Sequence, residues 1–158
     1  MTDFEHAVLL AFGVVFPNIE QRGCFFHLGQ CIWRRIQHID GLQQLYTSDS
    51  NFALCIRQLA AIAFVPTHDV VHAFDELMDS SFFQENIDLL QHLVNYFEDT
   101  WIGRPAGRGG RSSPVFSHGI WNCYNATLND LPKTNNAVEG WLRRFNQVLG
   151  AYHPTIWK

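Results

Sequence analysis

Between Arg57 and Arg104 the chain has no lysine or arginine, while eight acids fall in that interval: Asp69, Asp75, Glu76, Asp79, Glu85, Asp88, Glu98 and Asp99. Long apolar runs are also missing. The longest, Ala7 to Phe16, is ten residues, against the ~18–20 that a membrane-spanning helix needs. A positive stretch is absent from the N-terminus, where Asp3 and Glu5 stand instead, so secretion is not expected. The four cysteines, Cys24, Cys31, Cys55 and Cys123, contain no C-x2-C pair. A reduced intracellular chain, nuclear or cytoplasmic, is the simpler expectation. Six prolines and eleven glycines are too few for a linker when 47% of residues are hydrophobic. No P-loop, G-x-S-x-G or dinucleotide fingerprint occurs, which removes the commonest nucleotide and hydrolase chemistries.

What is present fits one domain of 158 residues with a sizeable core. Charge is unevenly placed: residues 1–57 are near neutral, residues 58–103 carry only acids, and the remainder is basic, within a net charge of −4. A chain polarised in this way would face a polyanion with its C-terminal third, unless the acids and bases are simply solvated faces.

Apolar periodicity predicts helices through the middle of the chain. Phe52, Ile56, Leu59, Ala60 and Ala63 share one 3.6-residue face, as do Ile87, Leu90, Leu93, Val94 and Phe97. A third helix is expected from Val70 to Met78. Phe4 to Val15 reads as a helix stopped by Pro17, and Gly23 to Phe26 as one short buried strand. A further helix is expected from His27 to Tyr46, broken near Gly41. The glycine-rich, arginine-bearing stretch 103–114 reads as a mobile basic loop. A last helix carries Val138, Trp141, Leu142, Phe145, Val148 and Leu149, with Asn135 and Asn136 as candidate caps and Gly150 as its stop.

Two acids sit at element junctions, Asp3 before the first helix and Glu139 in the first turn of the last. Carboxylates drawn from distant segments are the usual holders of Mg²⁺, a hard cation that prefers oxygen ligands. Simpler roles exist for both. Asp3 would be favoured by a helix dipole, and Glu139 could close a capping box with Asn136 or pair with Arg143. Cys24 and His27 could hold Zn²⁺ together with Cys31 or His38, although no second pair has finger spacing. His68 and His72 stand i,i+4 without an H-E-x-x-H context, so a solvated face is the plainer account.

Thr2-Asp3-Phe4-Glu5, Val15-Phe16-Pro17 and Cys24-Phe25-Phe26-His27, followed by Thr134 to Trp141, Arg144-Phe145-Asn146 and His153-Pro154, resemble the transposase domain of Mutator-like elements (MULE). The resemblance implies an α/β remnant that is predominantly helical: a truncated ribonuclease-H-like core with an Asp-Asp-Glu site and an all-helical insertion. It places a core segment at residues 1–40, the insertion at 41–128 with the basic loop 103–114 inside it, and a C-terminal core helix at 129–158. By the same resemblance Asp3 corresponds to the second catalytic Asp and Glu139 to the final Glu, together holding Mg²⁺. Cys24 and His27 match the family's C-x2-H motif, with a structural or DNA-contact role.

Arg104, Arg108, Arg111, Arg143 and Arg144 would then contact phosphates of DNA, at transposon ends or target sites, and a homo-oligomer is compatible with the family. The family's first Asp has no counterpart here, and Leu142 stands where relatives often carry a polar residue. The expectation is therefore a transposase fragment, inactive alone. The rival expectations are a non-catalytic, domesticated interaction or DNA-binding module and a zinc-binding regulator.

Overall fold

Leu28, Ile32 and Ile36 recur every four residues and are all buried, which makes one stripe of a helix the natural home for them. That helix, α2, spans Phe25–Gln37 and is the central packing element. The computed structural model describes residues 1–136, 140, 141, 143, 144 and 147. Ahead of α2 lies α1 (His6–Val15). After it come α3 (Leu42–Ser48), α4 (Ser50–Ala61), α5 (Val70–Met78), α6 (Ser81–Glu85) and α7 (Ile87–Phe97). α7 runs on into a π-helical turn, Glu98–Ile102. A hairpin of β1 (Pro105–Ala106) and β2 (Gly110–Arg111) follows, then the short helices α8 (His118–Trp121) and α9 (Tyr124–Leu128). The described part is thus predominantly helical, as expected.

Local chemistry accounts for several boundaries. Asp49 caps α4, its carboxylate accepting from the backbone N–H groups of Asn51 at 2.9 Å and Phe52 at 3.0 Å. Gly41, at φ +77°, makes the left-handed step between α2 and α3 that a side chain would resist. The core fills from facing stripes. Leu28, Ile32 and Ile36 of α2 meet Phe52, Ile56 and Leu59 of α4 and Leu90, Leu93 and Phe97 of α7 in one buried cluster running from Phe4 to Cys123. Each such side chain contributes roughly 1.5–3 kcal/mol by leaving water. At one end of the cluster Trp101 packs against Phe4 (ring centroids 4.8 Å apart), Phe116 (5.0 Å) and Trp121 (6.2 Å).

Three expectations are corrected. Gly23 to Phe26 is not a strand: Gly23 makes an isolated parallel bridge with Thr2, and α2 has already begun at Phe25. The apolar period of four, continuing through Leu28 and Ile32, outweighs the short run that suggested a strand. The first helix starts at His6 rather than Phe4, because Phe4 adopts the left-handed conformation, at φ +64°. Finally, residues 103–114 form a stapled hairpin instead of a mobile loop. Of the last helix, Asn136, Gly140, Trp141, Arg143, Arg144 and Gln147 are helical. Val138, Leu142, Phe145, Val148, Leu149 and Gly150 lie outside the described residues.

α1 is the exception to the burial pattern. Leu9 is its one buried residue, while Leu10, Phe12, Val14, Val15 and the following Phe16 and Ile19 are exposed.

Candidate functional site

The junction that holds Asp3 is built by four backbone and side-chain bonds. Thr2 N–H donates to the Arg22 carbonyl at 2.8 Å, and Cys24 N–H returns a bond to the Thr2 carbonyl at 2.8 Å. Phe25 N–H donates to the Lys133 carbonyl at 2.9 Å. The Cys24 thiol donates to Asn135 Oδ1 at 3.1 Å, across 111 positions of sequence. Thr2 and Gly23 are therefore a minimal parallel pair joined through α1, and the segment 133–135 is tied to the residues directly after it. Asp3 leaves this junction with an exposed side chain. Phe4, next in line, pins it, since its ring lies where a Cβ on Gly23 would be, 2.1 Å from the nearest ring atom.

Of the acids expected at the site, Asp3 is thus placed, and Glu139 lies outside the described residues. The segment leading towards Glu139 is what arrives at the junction. Among the described residues no group of three His, Cys, Asp or Glu side chains gathers as a metal cage. Asp3 alone, at this corner, does not amount to a Mg²⁺ site.

Cys24 and His27 stand one turn apart at the start of α2, in different surroundings. Cys24 is fully buried at the N-cap of α2 and spends its thiol on Asn135. His27 lies one turn on, half-buried, with Nδ1 shielded from solvent and without a hydrogen-bond partner among the described residues. The role visible for Cys24 is to fasten the chain before Glu139 to the start of α2. His68 and His72 are exposed, each beside an acid: Asp69 at 3.4 Å and Glu76 at 3.5 Å.

The arginines assigned to phosphate are arranged differently from one another. Arg104 Nη1 reaches Glu98 Oε2 at 3.2 Å and Nη2 reaches Asp99 Oδ2 at 2.9 Å. The bond from Arg104 pulls the Asp99 carboxyl below its ordinary range and pushes the guanidinium further up. Arg111 Nη1 donates to Glu98 Oε1 at 2.7 Å and to the Gly103 carbonyl at 2.6 Å, while Nη2 binds Asp75. Its guanidinium also covers the Phe74 ring, 5.7 Å from the centroid. Arg108 lies in the helical turn Gly107–Gly109 at the hairpin tip, and Arg143 and Arg144 are exposed on the last helix. The basic stretch and the acidic stretch have folded onto each other.

Sequence reasoning passed over Arg34 and Arg35. Both line a groove shared with Tyr96 of α7, and neither has an acid within 4.0 Å among the described residues. Arg35 lies over the Tyr96 ring at 5.5 Å. Burial pushes the Tyr96 phenol up to about 12, helped by the neighbouring Cys31. Burial likewise raises the Cys31 thiol; Arg34 acts to lower it, and Asp3 adds a smaller upward push. The adjacent basic pair in a helix without an acid was the available signal.

No protein-family model matches the chain, and neither does any curated protein or solved structure. Among the described residues no helix is long and apolar enough to cross a membrane.

Proposed function

We propose that the chain is part of a Mutator-like DNA transposase catalytic domain, with Asp3 and Glu139 as two of the carboxylates that hold Mg²⁺ for phosphodiester hydrolysis and strand transfer. One observation carries the reading. Asp3 follows directly on a parallel Thr2–Gly23 pair with α1 as the crossover, and the segment leading to Glu139 is tied to that same pair at Phe25 and Cys24. A strand-end Asp beside the approach of a helix-borne Glu is the arrangement a ribonuclease-H-like core requires. The outward apolar face of α1 suits a helix that a fuller sheet would cover.

The carboxylates' chemistry would be to hold metal that activates a water or a 3′-hydroxyl and steadies the leaving oxygen. The partner is DNA, and Arg143 and Arg144, exposed beyond Glu139, are the proposed backbone contacts on that side; such contacts position a duplex without reading its sequence.

Paramagnetic Mn²⁺, a hard-ligand substitute for Mg²⁺, provides the test. The amide signals of Asp3 and Glu139 are expected to broaden together at low ion concentration, and Asp3→Asn should abolish both effects. Broadening at Asp3 without Glu139, or at neither, would overturn the metal assignment and favour a non-catalytic module.

A further inference from the structure

A groove of about 270 Å³ opens between α2 and α7, lined by Cys31, Arg34, Arg35, His38 and Tyr96. Its wall contains two arginines and no acid. Arg35 is half-buried, with Nε shielded from solvent and without a hydrogen-bond partner among the described residues. With no acid within 4.0 Å among those residues, such a guanidinium keeps charge and part of its donor capacity for a ligand. Its guanidinium carbon lies over the Tyr96 ring, 5.5 Å from the centroid, a contact that favours one placement of the group before any ligand arrives. Arg34, one position earlier and exposed, has a long 3.4 Å bond to Gln30 Oε1 as its side-chain partner. The His38 ring is fixed by its Nδ1–H, which donates to the Arg34 carbonyl.

The groove continues past Arg35 and His38 into a wider recess of about 430 Å³, where Asp40 and Asp88 join the lining beside His92. Charge therefore runs from basic to mixed along one channel. An anion would settle at the Arg34–Arg35 end and be turned away from the far end. The contrast with the hairpin is the deciding comparison. Arg104 and Arg111 are saturated by Glu98, Asp99 and Asp75, so a phosphate would have to break bonds already made. At Arg34 and Arg35 it would break no ion pair among the described residues.

We propose that the Arg34–Arg35 end of this groove is a phosphodiester-binding site that grips the DNA backbone. The identification of the phosphate's source as DNA rests on the transposase reading above. The anion site itself rests on the groove.

The experiment uses the full chain with two probes, a short blunt DNA duplex and inorganic phosphate, following binding across a salt series and amide shifts by NMR. In wild type the duplex is expected to bind, and phosphate to shift the amides of Cys31, Arg34, Arg35 and Tyr96. In Arg34→Gln/Arg35→Gln the log–log salt slope should fall by about 2 units, at ~0.9 for each phosphate that is no longer neutralised, and the phosphate shifts should vanish. Arg104→Gln should leave the slope unchanged. If the double variant unfolds, Arg34→Gln alone, at an exposed position, should lower the slope by about 1 unit.

A duplex that binds wild type and variant with the same slope overturns the site while leaving the transposase reading standing. Phosphate shifts at these residues without duplex binding support the anion site and defeat the DNA assignment. Absence of phosphate shifts at all four residues overturns the site.

Discussion

Arg111 Nη1 sits 2.7 Å from Glu98 Oε1, a bond that helps to join the basic hairpin to the π-helical turn that follows α7. Both side chains are shielded, with relative exposures of 17% and 12%. The same guanidinium holds Asp75, so the hairpin is fastened to α5 as well.

Arg111→Ala should therefore leave Glu98 with Arg104 as its remaining arginine partner and remove the tie from the hairpin to α5. The expected loss is about 1.5–3 kcal/mol, the range for a hydrogen bond to a charged group. A urea unfolding series should show a lower midpoint at unchanged slope. Glu98→Gln, which keeps the shape and an acceptor, should cost less.

Acid should also act on the neighbouring Arg104–Asp99 pair. Asp99 has a depressed pKa because Arg104 donates to its carboxylate, so the folded state holds its proton less tightly than the unfolded state does. The stability this contributes is present above the ordinary carboxylate range and is lost as pH falls through the depressed folded value. The pair is exposed, so the effect should be small and screened by salt. Carbon-detected NMR titration of the Asp99 carboxyl checks the direction; titration at or above the ordinary range would contradict it.

Alkali should act on Tyr96. Its phenol is pushed up to about 12 by burial, so the neutral form is favoured in the folded chain. That contribution is whole below the ordinary tyrosine range near pH 10 and declines as pH rises towards 12. Tyrosinate absorbance should show one of the four tyrosines titrating late, and the late step should disappear in Tyr96→Phe.

Gly23→Ala places a methyl group inside the Phe4 ring, 2.1 Å from its nearest atom. Phe4 must leave its contacts with Trp101 and Phe116, at an expected cost of about 1–3 kcal/mol. The larger consequence is positional, because Asp3 loses its neighbour's anchorage. Amide exchange at Thr2 and Cys24 should accelerate more than exchange in α4.

Thiol labelling should separate the cysteines by shielding. Cys24 and Cys123 are buried, and burial raises the Cys123 thiol. Cys31 and Cys55 are half-exposed, but burial raises Cys31 as well. Since the thiolate is the reacting species, Cys55 should label first and Cys24 and Cys123 last, as mass spectrometry of a time course would show.

Much of the helical middle was legible in advance because its residues answer to local rules. α5 occupies the Val70–Met78 interval expected for it, and α7 ends where its apolar stripe ends, at Phe97. The Gly41 break was legible for the same reason. The stretch around Gly23 was not, since Cys24-Phe25-Phe26 satisfies both a short buried strand and the first turn of a helix, and only continuation through Leu28 and Ile32 separates them. The hairpin's order was hidden for a different reason. Its arginines are held by acids up to 36 positions away, a pairing that depends on where α5 and α7 come to lie. At the candidate site, Asp3 could be picked out from its neighbours in sequence. The tie from Cys24 to Asn135 could not, because nothing local relates positions so far apart.

The outward face of α1 changes how one common assay must be read. Dyes that fluoresce on apolar surface are taken as reporters of loosened, partly folded chains. Here Leu10, Phe12, Val14, Val15 and Phe16 present such a surface while Trp101, Phe97 and Leu28 stay sealed inside. A fluorescence rise at neutral pH would come from the intact molecule. Its brightness should fall, not grow, when Val14→Glu or Phe12→Glu is introduced, while near-ultraviolet circular dichroism from the buried tryptophans remains unchanged.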